Sequence, residues 1–417
     1  MDRFIIKGPC VLKGSISAGG SKNASLPILA AALLAEGQST IGNVPNIRDV
    51  RTMMDVLRRL GADVLRPESG SINIDPAKVS LFEAPYDLLR TMRASFLVMG
   101  PLLARFGQAK VSMPGGCAIG ARPVDIHLKG FKAMGAEIDI NHGYVMARAD
   151  RLRGCTFHMD IASVGATENL MAAAALAKGT TVLHNAAREP EIIDMANYIN
   201  AMGGCVEGAG ESTITIHGVD RLHGAAYNVC SDRIEVATYM VAAAITGGDL
   251  TITDAIPPHV EGVTEKLVEA GCDITVTDST IRVIGPKKIL PVNITTQVYP
   301  GFPTDVQAQF MAMLTIADGA STITEKVFEN RFMHVPELSR MGADVSVNEH
   351  TAFIKGVGKL SGAPVMASDL RAGACLVLAG LIADGETEIL RVYHIDRGYD
   401  RLEKKLSAVG ANIRRLK

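Results

Sequence analysis

The chain has 417 residues, of which 47% are hydrophobic, and it carries a formal net charge of -2. Its length exceeds the roughly 250–300 residues at which a single core stops growing, so we expect two domains; the near-neutral charge gives no general attraction for nucleic acid or an anionic membrane. The 7 scattered cysteines include no Cys-x-x-Cys pair and the 10 histidines no His-Glu-x-x-His motif, so we expect neither a disulfide framework nor a metal site.

The first predicted element is a strand at residues 1–8. This stretch is too short in apolar length, and carries charge too early, to be a signal peptide. The longest apolar run, residues 26–35, contains Pro27 and is about half as long as a bilayer span requires. We therefore expect no membrane segment.

Two sequence phrases recur six times each along the chain. In the first, a helix end is followed by a glycine and a strand, and the glycines are Gly61, Gly135, Gly203, Gly271, Gly342 and Gly410. In the second, an Ala/Leu-rich helix is followed by a glycine and a β-branched stretch, and the glycines are Gly37, Gly107, Gly179, Gly248, Gly319 and Gly385. Each glycine is placed where a helix end needs a left-handed residue. The two phrases together predict six units of about 70 residues.

Each unit is predicted to contain two kinds of helix. The first is apolar nearly all round, as at residues 28–34, 170–177 and 376–383, and the second is amphipathic, as at residues 51–60 and 401–409. A helix that is apolar on all sides is buried. We therefore predict an α/β fold with helices inside and with sheets and amphipathic helices around them. Six units divide most simply into three plus three.

A glycine-rich loop at residues 114–123 contains Cys117 and Arg122. Glycine lets a loop change conformation at low cost, and a nearby arginine favours both an anionic ligand and the thiolate form of cysteine. The loop therefore predicts a catalytic lid. A surface turn with an incidental cysteine is the alternative.

Eight motifs, in order along the chain, resemble those of the enolpyruvyl transferases, and among them the family that acts on UDP-N-acetylglucosamine. They are residues 21–23 (Ser-Lys-Asn), 91–95 (Thr-Met-Arg-Ala-Ser), the Cys117 loop, 163–167 (Ser-Val-Gly-Ala-Thr), 188–191 (Arg-Glu-Pro-Glu), 302–305 (Phe-Pro-Thr-Asp), 328–334 (Phe-Glu-Asn-Arg-Phe-Met-His) and 393–399 (Tyr-His-Ile-Asp-Arg-Gly-Tyr). The resemblance runs from end to end. It implies a two-lobed inverse α/β barrel of six βαβαββ repeats, three per lobe, with buried inner helices.

The resemblance also implies domain bounds and an activity. One lobe would span residues 21–231, the other residues 1–20 and 232–417, with the active site in the cleft between them. The implied reaction transfers the enolpyruvyl group of phosphoenolpyruvate to the 3-hydroxyl of UDP-N-acetylglucosamine and releases phosphate. This would be the first committed step of peptidoglycan synthesis, in the cytoplasm, with consequences for cell shape and division. We expect a monomer whose partners are these two small molecules, without a cofactor, nucleic acid or membrane.

By the same resemblance, Cys117 is the general acid that protonates C3 of the enol, and it can also form a covalent phospholactoyl adduct. A thiolate at this position would open the epoxide of fosfomycin. Asp305 is the base for the sugar hydroxyl, since a carboxylate in a closed cleft can gain basicity through desolvation. Its alternative is to cap the helix predicted at residues 306–314.

The remaining candidate residues are assigned to the ligands by the resemblance alone. The cations similar to the family's phosphate contacts are Lys22, Arg122 and Arg397, with Arg331 and Arg371 as further groups facing the same anion and Arg93 near the phosphate. For any single arginine, a solvated surface charge is the alternative. The uracil-binding run is Arg122, Pro123, Val124, Asp125 and Ile126, the diphosphate contacts are Ser163, Val164 and Gly165, and the sugar or intermediate contacts are Asn23 and Val327. Ile161 stands where some relatives have lysine, which leaves one polar contact open.

Two other functions remain open. A shikimate 3-phosphate enolpyruvyl transferase would share the fold and the phosphoenolpyruvate chemistry, but Cys117 and the run at residues 122–125 argue against it. A non-catalytic paralogue could bind a sugar nucleotide and regulate a partner, but the presence of Lys22, Asp305 and Arg397 beside that cysteine argues against it. Asp232, Arg233 and Glu235 resemble a family segment at the junction of the lobes and are interpreted as hinge or structural residues.

Overall fold

A computed structural model describes residues 2–68, 70–84, 93–113, 124–328 and 331–417. The described residues form two compact units. The central unit runs from Gly20 to Cys230, and the terminal unit combines the residues up to Gly19 with Ser231–Lys417. In the part of the chain that the structure describes, no helix combines the length and the apolar character needed to cross a membrane.

Six four-stranded sheets among the described residues share one pattern: a first strand is parallel to the second, and the second, third and fourth are antiparallel in turn. Those of the central unit are formed by Ala226–Asn228, Ser39–Gly42, Ile72–Asp75 and Asp63–Leu65; by Glu83–Ala84, Gln108–Ser112, Tyr144–Arg148 and Glu137–Asn141; and by Thr156–His158, Thr180–His184, Thr213–His217 and Cys205–Glu207. A short parallel pair, Ala35–Glu36 with Leu222–His223, accompanies them.

The terminal unit repeats this pattern. Its sheets are formed by Lys13–Ser17, Asp249–Thr253, Ile281–Ile284 and Asp273–Val276; by Ile294–Thr295, Ala320–Thr324, Thr351–Lys355 and Asp344–Asn348; and by Pro364–Met366, Gly385–Leu390, Arg3–Gly8 and Ile413–Leu416. The strand predicted at the N terminus is thus confirmed, as Arg3–Gly8.

The helices fall into an inner and an outer set. The inner helices are Lys22–Ala31, Met99–Phe106 and Val164–Ala174 in the central unit, and Arg233–Thr246, Gln307–Leu314 and Leu370–Ile382 in the terminal unit. The outer helices are Arg48–Leu60, Asp125–Ala133, Pro190–Ala201, Glu261–Glu269, Val335–Arg340 and Leu402–Ala408. Short 3-10 helices are Ala32–Leu34, Arg93–Val98, Pro257–Val260, Thr304–Val306 and Val392–Arg397.

The inner helices form the core of each unit. Every residue of Arg233–Thr246 and of Gln307–Leu314 is buried, and these two helices pack against each other and against Leu370–Ile382. In the central unit, Val164–Ala174 packs against Lys22–Ala31 and Met99–Phe106. The predicted α/β fold with buried inner helices is therefore confirmed.

The second set of predicted helix-end glycines is only partly correct. Gly107 caps its helix, whereas four others have positive φ but lie two to four residues beyond the helix cap: Gly37, Gly179, Gly319 and Gly385. The prediction for Gly248 is wrong. Helix Arg233–Thr246 ends on Gly247 at φ +58°, whereas Gly248 does not take the left-handed conformation. A Cβ on Gly248 would lie 2.3 Å from the carbonyl oxygen of Leu12. The second glycine is therefore required for close approach of two backbones, and the first for the turn.

A further glycine position recurs at the end of a strand that meets an inner helix. A Cβ on Gly218 would lie 1.9 Å from the carbonyl oxygen of Ala177, and one on Gly356 would lie 1.8 Å from that of Ala317. Both alanines closely follow an inner helix. The missing side chain lets the strand end touch the helix end, so these glycines hold sheet and helix together.

Gly356→Ala is expected to lower the free energy of unfolding by about 1–3 kcal/mol, because the added methyl group cannot fit beside the Ala317 carbonyl without moving backbone. Gly358→Ala is the control, since a Cβ there meets nothing within 4 Å. Urea unfolding of the two variants measures the difference. Equal stabilities would show that the close approach contributes nothing.

Candidate active site

Asp305 lies in the short helix Thr304–Val306 of the terminal unit and binds two arginines. Its Oδ1 accepts a hydrogen bond from Arg331 Nη2 at 2.6 Å, and its Oδ2 accepts one from Arg371 Nη2 at 2.9 Å. Arg331 is 7% exposed and Arg371 is 3% exposed, whereas the Asp305 side chain is 25% exposed. One carboxylate thus faces two cations at the edge of the core.

The helix-cap interpretation of Asp305 is wrong. The residue that precedes helix Gln307–Leu314 is Val306, whose side chain has no acceptor, and Asp305 uses both carboxylate oxygens for arginines. The two guanidinium groups stabilise the ionised carboxylate. Both oxygens of the Asp305 carboxylate are therefore ion-paired, and the expected gain in basicity through desolvation stays a prediction.

Arg371 connects this ion pair to the buried end of the inner helices. It lies in the first turn of Leu370–Ile382, and its Nη1 donates to Tyr399 Oη at 3.3 Å. Burial lowers the pKa of Arg371, but Asp305 and the other anionic groups around it raise the pKa by more, so the net shift is upward. The side chain is therefore a permanent buried cation.

Gln309 and Thr238 also belong to the cluster. Gln309 Nε2 donates to the Asp305 carbonyl oxygen at 3.0 Å and to Thr238 Oγ1 at 3.2 Å, and Tyr399 Oη lies 2.8 Å from the same Thr238 hydroxyl. Thr238, Gln309 and Arg371 come from the first two turns of the three inner helices of this unit. The N-terminal ends of helices favour anions, so this end of the core suits a negatively charged ligand.

Arg397 and Val327 also belong to the terminal unit. Arg397 ends the short helix Val392–Arg397 and is half-buried. The adjacent carboxylate, Asp396, is held by Arg415 through contacts of 2.5 and 2.9 Å. Val327 is half-buried, and its backbone N–H donates to Glu325 Oε1 at 2.8 Å.

In the central unit, the candidate residues lie at helix starts as well. Lys22 and Asn23, both half-buried, open helix Lys22–Ala31, which Ser21 caps by accepting from Ala24 N at 3.2 Å. Arg93 begins the short helix Arg93–Val98.

Ser163, Val164 and Gly165 form the start of another inner helix. Ser163 is the N-cap of Val164–Ala174, and its Oγ accepts from Ala166 N at 3.4 Å. All three candidates are half-buried, whereas Ile161 is 62% exposed.

The described part of the predicted uracil-binding run, residues 124–126, lies beside this helix start. Val124 and Ile126 are buried and Asp125 is exposed, at the beginning of helix Asp125–Ala133. His127 of that helix would contact a Cβ on Gly165 at 3.5 Å. The structure therefore brings the two predicted nucleotide segments together within the central unit.

His127 is held as a neutral imidazole. Asn169 Oδ1 accepts from Gly100 N at 2.7 Å, so the Asn169 amide group donates to His127 Nδ1 at 3.1 Å. Nδ1 must then be the unprotonated nitrogen. Burial lowers the pKa of His127 to about 4, and Asp125 raises it by less.

Three of the candidates, Cys117, Arg122 and Pro123, lie outside the described residues, and so does the predicted lid loop at residues 114–123. The proposed acid of the reaction therefore stays a prediction.

One group of side chains among the described residues could hold a metal ion. Cys205, Glu207 and His217 lie on neighbouring strands, and their ligand atoms are within 4.8 Å of one another. Cys205 is half-buried, and the other two are exposed. No local sequence motif predicts the grouping, because the register of the sheet brings Cys205 opposite His217.

The chain matches known proteins over nearly its whole length. The family described as EPSP synthase (3-phosphoshikimate 1-carboxyvinyltransferase) matches residues 6–406. A UDP-N-acetylglucosamine 1-carboxyvinyltransferase of Trichlorobacter lovleyi is 58% identical over 417 residues, covering 100% of this chain and 99% of that protein. One of Myxococcus xanthus is 56% identical over 422 residues, covering 100% of both. The chain belongs to the UDP-N-acetylglucosamine 1-carboxyvinyltransferase family.

Solved structures share the fold of this chain. The enolpyruvyl transferase NikO from Streptomyces tendae is 26% identical, with a TM-score of 0.89 over 99% of this chain and 98% of that one. An EPSP synthase from Acinetobacter baumannii is 22% identical, with a TM-score of 0.78 over 100% of both chains, and shows the shared fold.

Three polar residues around Asp305 are not among the predicted site residues. Thr238 and Gln309 are described above, and Glu325 accepts a hydrogen bond from Thr304, which in turn accepts one from Arg331. Thr238 and Gln309 lie in helices that are otherwise mostly apolar, and all three are buried. A buried polar group is costly unless it is hydrogen-bonded. Isolated polar residues in the inner helices were therefore the signal that could have found two of them.

Proposed function

We propose that the protein transfers the enolpyruvyl group of phosphoenolpyruvate to the 3-hydroxyl of UDP-N-acetylglucosamine and releases phosphate. The observation that carries this proposal is the Asp305 carboxylate paired with the buried guanidinium groups of Arg331 and Arg371. Relatives at 54–58% identity are named for this activity, which supports the same acceptor here.

Arg331 and Arg371 suit an anionic substrate. Guanidinium groups bind phosphate or carboxylate through paired N–H donors, and burial strengthens the attraction. Asp305 accepts a hydrogen bond from the Nη2 group of each arginine. An incoming phosphate or carboxylate would therefore compete with Asp305 for these donors. We propose that this competition loosens Asp305 and makes it available as the base. Lys22, Arg93, Arg122 and Arg397 are the further cations proposed for the phosphate region.

The proposed reaction is an addition followed by an elimination. Cys117 delivers a proton to C3, while the 3-hydroxyl oxygen adds to C2 and gives its proton to Asp305. The C2–O bond to phosphate then breaks, and loss of a proton from C3 restores the double bond. These steps need an acid and a base and no cofactor. For the sugar nucleotide we propose Asn23, Val327, the segment at residues 122–126 and the helix start at residues 163–165.

The proposal includes a place in the cell. The reaction would be the first committed step of peptidoglycan synthesis, carried out in the cytoplasm by a monomer, with effects on cell shape and division.

The test is phosphate release from phosphoenolpyruvate with UDP-N-acetylglucosamine or shikimate 3-phosphate as acceptor. Release with the sugar nucleotide alone is the expected result. Release with shikimate 3-phosphate would show that the enzyme uses this acceptor instead, which the description of the matched family also names. Binding of the nucleotide without release in either case would favour a non-catalytic protein.

Fosfomycin is expected to inactivate the enzyme and to add one molecule to Cys117, because a thiolate opens an epoxide. Peptide mass spectrometry after incubation locates the adduct. Cys230→Ser is the control and should be labelled as the unchanged protein is, whereas Cys117→Ser should not be labelled. An adduct on another cysteine would contradict the assignment of the acid.

A further inference from the structure

Glu325 is a buried carboxylate with four hydrogen-bond donors around it. It follows strand Ala320–Thr324 and is 2% exposed. Oε2 accepts from Thr304 Oγ1 at 2.8 Å. Oε1 accepts from Thr296 Oγ1 at 2.7 Å and from the backbone N–H groups of Val327 at 2.8 Å and Phe328 at 3.1 Å.

Thr304 links Glu325 to the ion pair between Arg331 and Asp305. Its hydroxyl has one proton, which it donates to Glu325, and its Oγ1 accepts from Arg331 Nη1 at 3.0 Å. The same guanidinium group holds Asp305 Oδ1 through Nη2. Because Glu325 takes the hydroxyl proton, Thr304 presents a lone pair to Arg331.

The charges around Arg331 also link Glu325 to the Asp305 ion pair. Arg331 and Arg371 are two buried cations that share the carboxylate of Asp305. Glu325 supplies a second negative charge one hydroxyl away from Arg331. When an anionic substrate competes with Asp305 for Nη2 of Arg331, Thr304, itself bonded to Glu325, still accepts a hydrogen bond from Nη1.

We propose that Glu325 is a positioning residue of the active site. Through Thr304 it orients Arg331 beside Asp305, and through backbone N–H groups it fixes the segment that carries Val327. This inference rests on the proposed transfer reaction. Glu325 itself acts on the substrate only through these neighbours.

The test compares Glu325→Gln and Thr304→Val with the unchanged enzyme. Each is expected to lower kcat/KM for phosphoenolpyruvate by about 10–100-fold, since small displacements of a binding group are costly. The double variant should lose little more than either single one, because both break the same relay. Thr304→Ser keeps the hydroxyl and should restore most of the activity.

Glu403→Gln is the matched control for loss of a buried glutamate near an arginine. Glu403 is 8% exposed and accepts from Arg415 Nε at 3.3 Å, in the same unit. The contacts of Arg415 to Asp396 do not involve Glu403, so we expect them to remain in that variant. Its kcat/KM is expected to stay within about twofold of the unchanged enzyme, even if its stability falls.

Three outcomes would overturn the proposal: full activity in Glu325→Gln, additive losses in the double variant, or no rescue by Thr304→Ser. If the unchanged enzyme releases no phosphate with either acceptor, the proposed function fails separately. Calorimetric binding of inorganic phosphate then decides the positioning role. Glu325→Gln and Thr304→Val should weaken it alike and Glu403→Gln should not; equal affinity in all variants would refute the role.

Discussion

Asp305→Asn is expected to lower kcat by about 10²–10⁴-fold while leaving KM for phosphoenolpyruvate unchanged or lower. The asparagine keeps the shape of the side chain but cannot accept the proton of the acceptor hydroxyl. The effect on KM follows from the ion pairs of 2.6 Å to Arg331 and 2.9 Å to Arg371. A substrate anion must displace the carboxylate from these cations, and a neutral amide competes less well. Initial rates of phosphate release at varied phosphoenolpyruvate separate the two constants.

Asp305→Glu is the matched control because it keeps the charge and shifts the carboxylate by one methylene group. Its KM is not expected to fall, since a carboxylate still competes for the arginines. Asp305→Asn should also unfold at lower urea concentration than Asp305→Glu, because it leaves two buried cations without their shared counter-charge. An unchanged kcat in Asp305→Asn would exclude this residue from proton transfer.

The central unit is expected to lose about 3 kcal/mol of stability through His127 as the pH falls from 7 to 4. The pKa of His127 is about 4 in the folded protein and 6.5 in the unfolded chain. Between these values the unfolded chain binds the proton and the folded protein does not, so stability falls with pH across this window. Protonation would also turn Nδ1 into a donor facing the Asn169 amide, 3.1 Å away.

Amide hydrogen exchange in helix Asp125–Ala133 measures this effect as a function of pH. His127→Gln should remove it, whereas the exposed His217→Gln should keep the pH dependence of the unchanged protein. The difference between variants isolates His127 from other buried groups, such as Glu168, whose pKa is raised mainly by burial and which acts in the opposite direction. An unaltered pH dependence in His127→Gln would contradict the assignment.

The fold was largely predictable because the repeated glycines mark helix ends. Gly61, Gly135 and Gly410 all have positive φ, at +103°, +89° and +107°, as a helix end requires. The Gly247–Gly248 doublet is the exception, since sequence does not tell which of two adjacent glycines turns and which makes room for Leu12.

The starts of the inner helices were predicted less well, and for a physical reason. The predicted starts at residues 28, 170 and 376 each come six residues after the observed starts at Lys22, Val164 and Leu370. An apolar pattern alone omits the first two turns because they contain polar or small residues. Those turns contain candidate ligand contacts, so the hydrophobic pattern fails to predict the helix turns in which the candidate site residues lie.

The individual site residues were predicted by resemblance and not by pattern. Asp305 and Arg371 meet over a separation of 66 residues, and no local motif encodes that contact. Glu325 has even less local signal, because a single glutamate after a strand reads as a surface residue. Its buried contacts are with distant residues, Thr304 and Thr296, which lie 21 and 29 residues earlier in the chain.

The pairing of the first strand has a consequence for synthesis on the ribosome. Arg3–Gly8 lies between Gly385–Leu390 and Ile413–Leu416, whereas the last strand of the central unit, Ala226–Asn228, pairs with Ser39–Gly42. All the described strands of the central unit are available once Cys230 has left the exit tunnel. The first strand, in contrast, can pair only after Gly385–Leu390 and Ile413–Leu416 have been synthesised. Nascent chains stalled after the central unit should therefore resist protease in that unit, while the N-terminal segment is still cleaved.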